Sequence, residues 1–328
     1  MTLLGSVVRQ FVSIPTLSAS LSLKGQTVFI TGANTGLGLA TARECVGRGA
    51  AKVILAVRNR ANGDAAKLSI QQSHPSAPAT IDIWDVDLLS FDSVLAIGKR
   101  AAQLPRLDIA LLNAGVFKFA WSTSTDGYET GLQVNHLATA LLALTLLPTL
   151  KKTAKELGHP SRLTFTSAET HMFTKFAEQA ADKPLDELNK KELYKDAMDR
   201  YCVTKLLNVF WARELAARTS REEVIVNYFN PGAVDTGIHR DGNLLIRKFD
   251  RYVGRSVEQG ASLVLNAAVV KGPESHGEYM SEGNIKPPGD LVLSDTGARL
   301  QKRLWDDTEE VLKKHVPSAE GLDTIFKV

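Results

Sequence analysis

The 328-residue chain is poor in cysteine: it has two, Cys45 and Cys202, both inside helix-like patterns. Two thiols cannot build a disulfide framework, so they read as buried structural residues of a protein kept in a reducing compartment, expected to be cytoplasmic. The chain also lacks a long hydrophobic run. The most apolar one, Leu137 to Leu147, stops at Pro148 after about three helical turns, short of the roughly 18 residues a membrane span requires. No membrane span is expected. The first 24 residues carry only short apolar pieces (Leu3-Leu4, Val7-Val8, Phe11-Val12) broken by Arg9, Pro15 and Lys24. They match neither a signal peptide nor a span and are expected to form a soluble extension at 1–24, ahead of one domain at 25–328. Charge of one sign is missing too: 39 basic and 36 acidic residues are spread over the whole length, with no basic stripe, which argues against nucleic acid as a partner. There is no fixed-period repeat, so a solenoid is excluded. Of the seven histidines, His136, His171 and His239 fall near site elements, but no pair has metal-ligand spacing with a third partner, and no metal is expected.

What the sequence does have is alternation. Hydrophobic residues make up 44%, enough for a sizeable core. The patterns predict strands over Thr27–Thr31, Lys52–Val57, Ile81–Val86, Leu107–Leu112, Arg162–Thr166 and Val224–Phe229. They predict helices near 37–48, 61–72, 91–103, up to Leu147, and 199–218. This strand–helix rhythm is that of an α/β protein: a single doubly wound parallel sheet of Rossmann type with helices on both faces. Two segments interrupt it. Residues 172–200 are charged and contain Pro184, with Leu185, Leu188 and Leu193 near helical spacing, and read as an insertion. Residues 233–256 follow Asn230-Pro231-Gly232 as a substrate loop. Both are candidate walls of a ligand pocket, because loops at the carboxyl ends of such strands frame the ligand.

The stretch Val28-Phe29-Ile30-Thr31-Gly32-Ala33-Asn34-Thr35-Gly36-Leu37-Gly38 runs from a strand through three glycines into a helix. Such a turn lets the backbone approach a pyrophosphate while free helix N–H groups face it, although the spacing is G-x-x-x-G-x-G and not the common G-x-G-x-x-G. Further on, Tyr201 and Lys205 lie four apart in a predicted helix, so phenol and ammonium share one face. A neighbouring cation favours the phenolate and brings a group that titrates near pH 10 toward use as an acid or base. Ser167 ends a strand, where its hydroxyl can orient a substrate oxygen for Tyr201. Thr166 beside it should face the other way by strand alternation. Asn113-Ala114-Gly115 ends another strand with small residues that admit a cofactor, and Asn135 sits mid-helix, where asparagine is unfavourable.

In this order these residues resemble the short-chain dehydrogenase/reductase family: the Gly32/Gly36/Gly38 turn, Asp87-Leu88, Asn113-Ala114-Gly115, Asn135, Ser167, Tyr201 with Lys205, and Pro231-Gly232. The likeness spans about residues 24 to 280. Thr31 to Gly38 and Val134-Asn135-His136-Leu137 resemble the retinol dehydrogenase-like branch, while Leu293-Ser294 and Arg303-Leu304-Trp305 resemble its fungal members, and the resemblance implies a role in secondary metabolism. The resemblance implies a catalytic tetrad of Asn135, Ser167, Tyr201 and Lys205, with Lys205 also bonding the nicotinamide ribose and Asn135 holding a relay water. It implies a cofactor site of Gly32, Asn34, Thr35, Gly36, Leu37, Gly38, Arg58, Asp87, Leu88, Asn113, Ala114, Gly115, Pro231, Gly232, Val234 and Thr236, together with Tyr201 and Lys205. Asp87 would contact the adenine, and Thr236 would lie near the nicotinamide amide. One departure is that Ser167 and Tyr201 are 34 positions apart, well beyond the family's usual spacing.

Cofactor choice follows from charge. Where an enzyme using NAD would place a carboxylate on the ribose 2′-OH, this chain offers Arg58 and Asn59, and a guanidinium there pairs with a 2′-phosphate. NADP(H) is expected. The reaction expected is hydride transfer between NADP(H) and a ketone or secondary alcohol. Met172, Phe173, Phe176, Leu244, Leu245, Ile246 and Phe249 suggest a bulky apolar substrate such as a steroid, retinoid, terpenoid or polyketide. The alternatives are an isomerase or cyclase using the same site, and a non-catalytic NADP-binding sensor. A homodimer through the helices containing Leu137–Leu147 and Val203–Arg213 is expected unless the insertion and the C-terminal tail cover them.

Overall fold

The computed structural model describes residues 3–234 and 253–316. Its frame is set by short apolar strands that are buried on both faces, as a parallel sheet between two helix layers requires. In chain order the strands are β1 (Thr27–Thr31), β2 (Lys52–Val57), β3 (Thr80–Asp85), β4 (Ile109–Leu112), β5 (Ser161–Thr166), β6 (Val224–Asn230), β7 (Tyr279–Ser281) and β8 (Asn284–Lys286). They form one sheet in the order β3-β2-β1-β4-β5-β6-β7-β8, parallel throughout except for the β7–β8 hairpin. The winding direction reverses between β1 and β4, where Ile30 pairs with Leu111. A crevice at such a switch point is the ligand position of doubly wound sheets.

Period-two alternation divides the core. Val28 and Ile30 of β1, with Val53, Leu55 and Val57 of β2, pack on α2 (Gly36–Gly47), α3 (Arg60–Ser73) and α9 (Val257–Leu265). Phe29, Ile54 and Ala56 point to the other face, among residues of α4 (Phe91–Ala101), α6 (Ala138–Leu157) and α8 (Ala197–Ala217). A three-residue turn, α5 (Thr130–Leu132), and a π-helical turn at Gln133–Leu137 lead into α6.

Several elements differ from the sequence reading. Pro148 does not end its helix: α6 continues to Leu157 and closes on Gly158 at φ +70°. The proline is exposed, so its ring meets solvent on that face. One helical stretch among the described residues, Thr130–Leu157, is apolar and long enough to cross a membrane, but 94% of its window is buried inside the protein, as for a core helix. The 172–200 insertion contains one short helix, α7 (Pro184–Leu188). Leu185 and Leu188 are buried, while Leu193 belongs to a separate 3-10 turn and is half-buried. The insertion is held by α11 (Asp295–Lys313): Asp307 accepts from the Leu185 N–H at 3.0 Å, and Lys183 pairs with Glu310. Phe176, read as a pocket wall, is fully buried in the core.

The sequence reading missed β7, β8, α9, α11 and a short α10 (Asp290–Leu293). It also missed that the first residues fold: α1 (Leu3–Gln10) lies against the carboxyl ends of the central strands.

Candidate active site

The glycine turn fits a pyrophosphate for reasons visible in its packing. Gly32 has φ +66° and Gly36 φ +52°, both unfavourable for a side chain. A Cβ on Gly38 would overlap the Gly32 carbonyl oxygen and stand 2.8 Å from Asn113 Nδ2. Thr35 is the N-cap of α2 and makes no side-chain cap, so the first-turn N–H groups stay free for an anion. Thr31, which was not singled out, organises the neighbouring strand end: its hydroxyl accepts from both Asn113 N and Ala114 N at 2.9 Å. The Asn113 amide in turn donates to the Thr31 carbonyl at 3.0 Å. The signal for Thr31 lay in its place between the strand and Gly32.

Asn34 and Thr35 border the turn, half-buried and exposed respectively, and Ala114 is half-buried behind it. Leu37 and Leu88 have buried side chains, so only their main chains can face a ligand. Asp87 accepts from Leu89 N at 3.0 Å and is half-buried. Arg58 stands exposed at the end of β2, and Asn59 caps α3 by accepting from Asn62 N at 3.0 Å. Thr236 and His239 lie outside the described residues, as do Leu244, Leu245, Ile246 and Phe249.

Three of the four residues expected to form the tetrad, Ser167, Tyr201 and Lys205, meet at the carboxyl end of β5, and Asn135 is tied to the Tyr201 helix through Thr204. Lys205 is buried on α8, its Nζ donates to the Thr166 carbonyl at 3.0 Å, and it lies 5.7 Å from the Tyr201 ring centroid. Burial lowers the Lys205 ammonium pKa to about 8. Ser167 is buried, and its hydroxyl donates to the Lys205 carbonyl at 3.2 Å. A Cβ on Gly115 would come 3.3 Å from Lys205 Nζ and 3.4 Å from Asn135 Oδ1, so glycine keeps this spot open.

Asn135 owes its mid-helix position to the π-turn, a feature frequent at functional sites. Its amide closes a pair of bonds with Val116, donating to the carbonyl at 2.9 Å and accepting from the N–H at 2.8 Å. It also donates to Thr204 Oγ1 at 3.0 Å and so ties the loop after β4 to the Tyr201 helix. Phe117, also missed, packs its ring 5.2 Å from that of Tyr201 and 4.7 Å from that of Phe119, whose ring is partly exposed. Tyr194 of the insertion donates to the Lys118 carbonyl at 2.6 Å and meets Trp121 edge-on at 5.8 Å. Phe117, backed by Phe119, therefore lines one side of Tyr201.

Of the three histidines singled out in the sequence, the two among the described residues, His136 and His171, are buried and bonded inside the protein. His136 Nε2 lies 2.9 Å from Thr308 Oγ1 on α11, and full burial lowers its pKa to about 3. His171 places Nδ1 2.6 Å from the Ala168 carbonyl and Nε2 2.7 Å from the Pro288 carbonyl, with a pKa lowered by burial. Both cysteines are buried, and desolvation pushes each thiol up to about 12.

Asn230, ahead of Pro231-Gly232, braces the last corner of the site. Its Oδ1 accepts from Glu169 N at 3.1 Å and Gly232 N at 2.9 Å, and so holds the loops after β5 and β6 together. Val234 is buried and forms a β-bridge with Arg255.

The family model for short chain dehydrogenases matches residues 26–159. The short chain dehydrogenase sol3 of Alternaria solani is 40% identical over 87% of this chain and 99% of its own length. A short chain dehydrogenase of Arthrobotrys oligospora is 36% identical over 93% of this chain and 98% of its own. Among solved structures, an uncharacterized Mycobacterium paratuberculosis protein superposes with a TM-score of 0.68 at 24% identity, covering 93% of this chain and 100% of its own. The NADPH-bound carbonyl reductase from chicken fatty liver superposes with a TM-score of 0.59 at 18% identity, covering 80% of this chain and 99% of its own.

Proposed function

The chain belongs to the short-chain dehydrogenase/reductase family, and from that premise we propose that it is an NADP(H)-dependent carbonyl reductase or alcohol dehydrogenase for a bulky apolar small molecule. The observation that carries this reading is the convergence of Ser167, Tyr201 and Lys205 on the end of β5, with Lys205 Nζ bonded to the Thr166 carbonyl at 3.0 Å.

The Gly32–Gly38 turn and the uncapped start of α2 would hold the pyrophosphate, and Arg58 the 2′-phosphate. Lys205 has N–H donors beyond the one given to Thr166, available to ribose hydroxyls. The bound cofactor supplies or receives the hydride. In reduction the Tyr201 phenol gives its proton to the carbonyl oxygen; in oxidation its phenolate takes the alcohol proton. The buried Lys205 cation favours the phenolate, and Ser167 exchanges its bond to the Lys205 carbonyl for one to the substrate oxygen. Asn135 keeps the Val116 loop and α8 in register. The exposed Phe119 ring and the Phe117 ring beside Tyr201 support an apolar substrate. The buried thiols suit a cytosolic setting.

The test compares NADPH with NADH oxidation over a panel of steroid, terpenoid and polyketide ketones. We expect NADPH preference, an Arg58→Ala variant that loses NADPH affinity far more than NADH affinity, and a Tyr201→Phe variant that loses about 10²–10⁴-fold in turnover while still binding cofactor. Wild-type turnover in Tyr201→Phe would overturn the mechanism, and a clear NADH preference the cofactor assignment.

A further inference from the structure

We propose that the N-terminal helix α1 is a positioning clasp for the active site: through Arg9 and Gln10 it fixes the loops that follow β5 and β6, and with them Ser167 and the Pro231–Val234 turn. The inference rests on the dinucleotide reading above, because that turn would face the half of the cofactor that reaches Ser167 and Tyr201.

Four chain segments meet here. Gln10 Oε1 accepts from Ala233 N at 3.0 Å. The Arg9 guanidinium pairs with Glu169, two residues after Ser167. The Arg9 carbonyl, which also accepts from Val12 N at 3.2 Å, receives Arg255 Nη2 at 2.9 Å. Arg255 is itself buried and reaches the Pro231 carbonyl with Nη1 at 3.2 Å, while its backbone N–H bonds the Ala233 carbonyl at 2.8 Å. Gly232 is fitted to this arrangement: its φ is +78°, and a Cβ there would overlap Arg255 Nη1 and stand 2.7 Å from Gln10 Oε1.

The described ties of α1 to these loops are polar: they come from Arg9 and Gln10, while Val8 is 59% exposed. Because those ties go to both loops beside Ser167, α1 is placed to act on the geometry of the site. Asn230 already joins the same two loops, and α1 adds a second tie between them through Glu169 and Ala233.

The test uses the full-length enzyme, a variant lacking residues 1–12, Gln10→Leu, and Gln10→Glu, which keeps an acceptor for Ala233 N. Measured quantities are kcat, the Kd of whichever of NADPH or NADH the wild type turns over, the Kd of the matching adenosine fragment (2′,5′-ADP or ADP-ribose), and the apo Tm. The truncated enzyme should bind the dinucleotide about tenfold or more weakly and lose kcat, with fragment Kd within about twofold and Tm within a few degrees, the scale of losing the three polar ties of Arg9 and Gln10. Gln10→Leu should move the same way and Gln10→Glu should recover. Wild-type dinucleotide affinity and kcat in both the truncated enzyme and Gln10→Leu would overturn the proposal, as would parallel weakening of fragment and dinucleotide. If the truncated enzyme does not fold, the Gln10 pair decides alone. A wild type that binds neither dinucleotide sinks the functional reading itself, a separate and recognisable failure.

Discussion

At the scale of single residues, two buried bases, Lys205 and His136, each contribute to the pH behaviour. Burial lowers the Lys205 ammonium from its ordinary 10.5 to about 8, so between those limits the unfolded chain binds more protons and stability rises with pH. At neutral pH the buried cation costs on the order of 3 kcal/mol. Lys205→Met is therefore expected to raise the unfolding free energy at pH 7 by a few kcal/mol while removing turnover, checked by urea titration and assay of one preparation. In the wild type, kcat/KM for the reducing cofactor should fall as pH rises through about 8, where the free enzyme loses this charge. His136, lowered from 6.5 to about 3, works in the same sense at lower pH: its contribution is intact above 6.5 and is lost as pH falls toward 3, to a total of about 4–5 kcal/mol. His136→Phe should flatten the dependence of the urea midpoint on pH between 6.5 and 4.5, and a slope equal to that of the wild type would count against it.

At the scale of elements, α11 has the largest consequence the sequence reading overlooked. Trp305 stacks on Trp211 of α8 at 4.2 Å and 10°, and Arg218 lies 4.4 Å over the Trp305 ring. Both rings are nearly fully buried, so Trp305→Ala should cost about 3–5 kcal/mol in urea unfolding, with kcat per folded molecule unchanged. The signal for this helix was present: Leu300, Leu304, Thr308 and Val311 recur at helical spacing and are buried. So was the capping box of Ser256 and Gln259 that opens α9. The three-residue strands β7 and β8 were not legible, because so short a run carries no period. Pro148 misled because helix-breaking depends on which face the ring meets, and that face is fixed by packing.

For the whole molecule, α11 and the insertion decide which surfaces remain for assembly. The α8 helix is enclosed by β6, the loop after β5 and α11, and all its residues from Cys202 to Ala212 are buried within one chain. A partner that packs on that helix has to displace α11, which disfavours the α8 half of the homodimer surface expected from the sequence and leaves only α6; sedimentation is expected to show a 35.7 kDa monomer, and a dimer at micromolar concentration would sink this expectation. The sequence by itself determined the alternating α/β plan, the glycine turn, the Tyr201/Lys205 pair and the small residues at 113–115, because each is dictated by local chemistry: period, chirality, or spacing along one helix. Only the tertiary structure decided that Asn135 is bonded to Val116 and Thr204, that Phe176 is core, that Arg9 and Gln10 reach loops more than 150 positions away, and that the C-terminal helix covers α8. Those outcomes depend on contacts between segments distant in sequence, which no local pattern encodes.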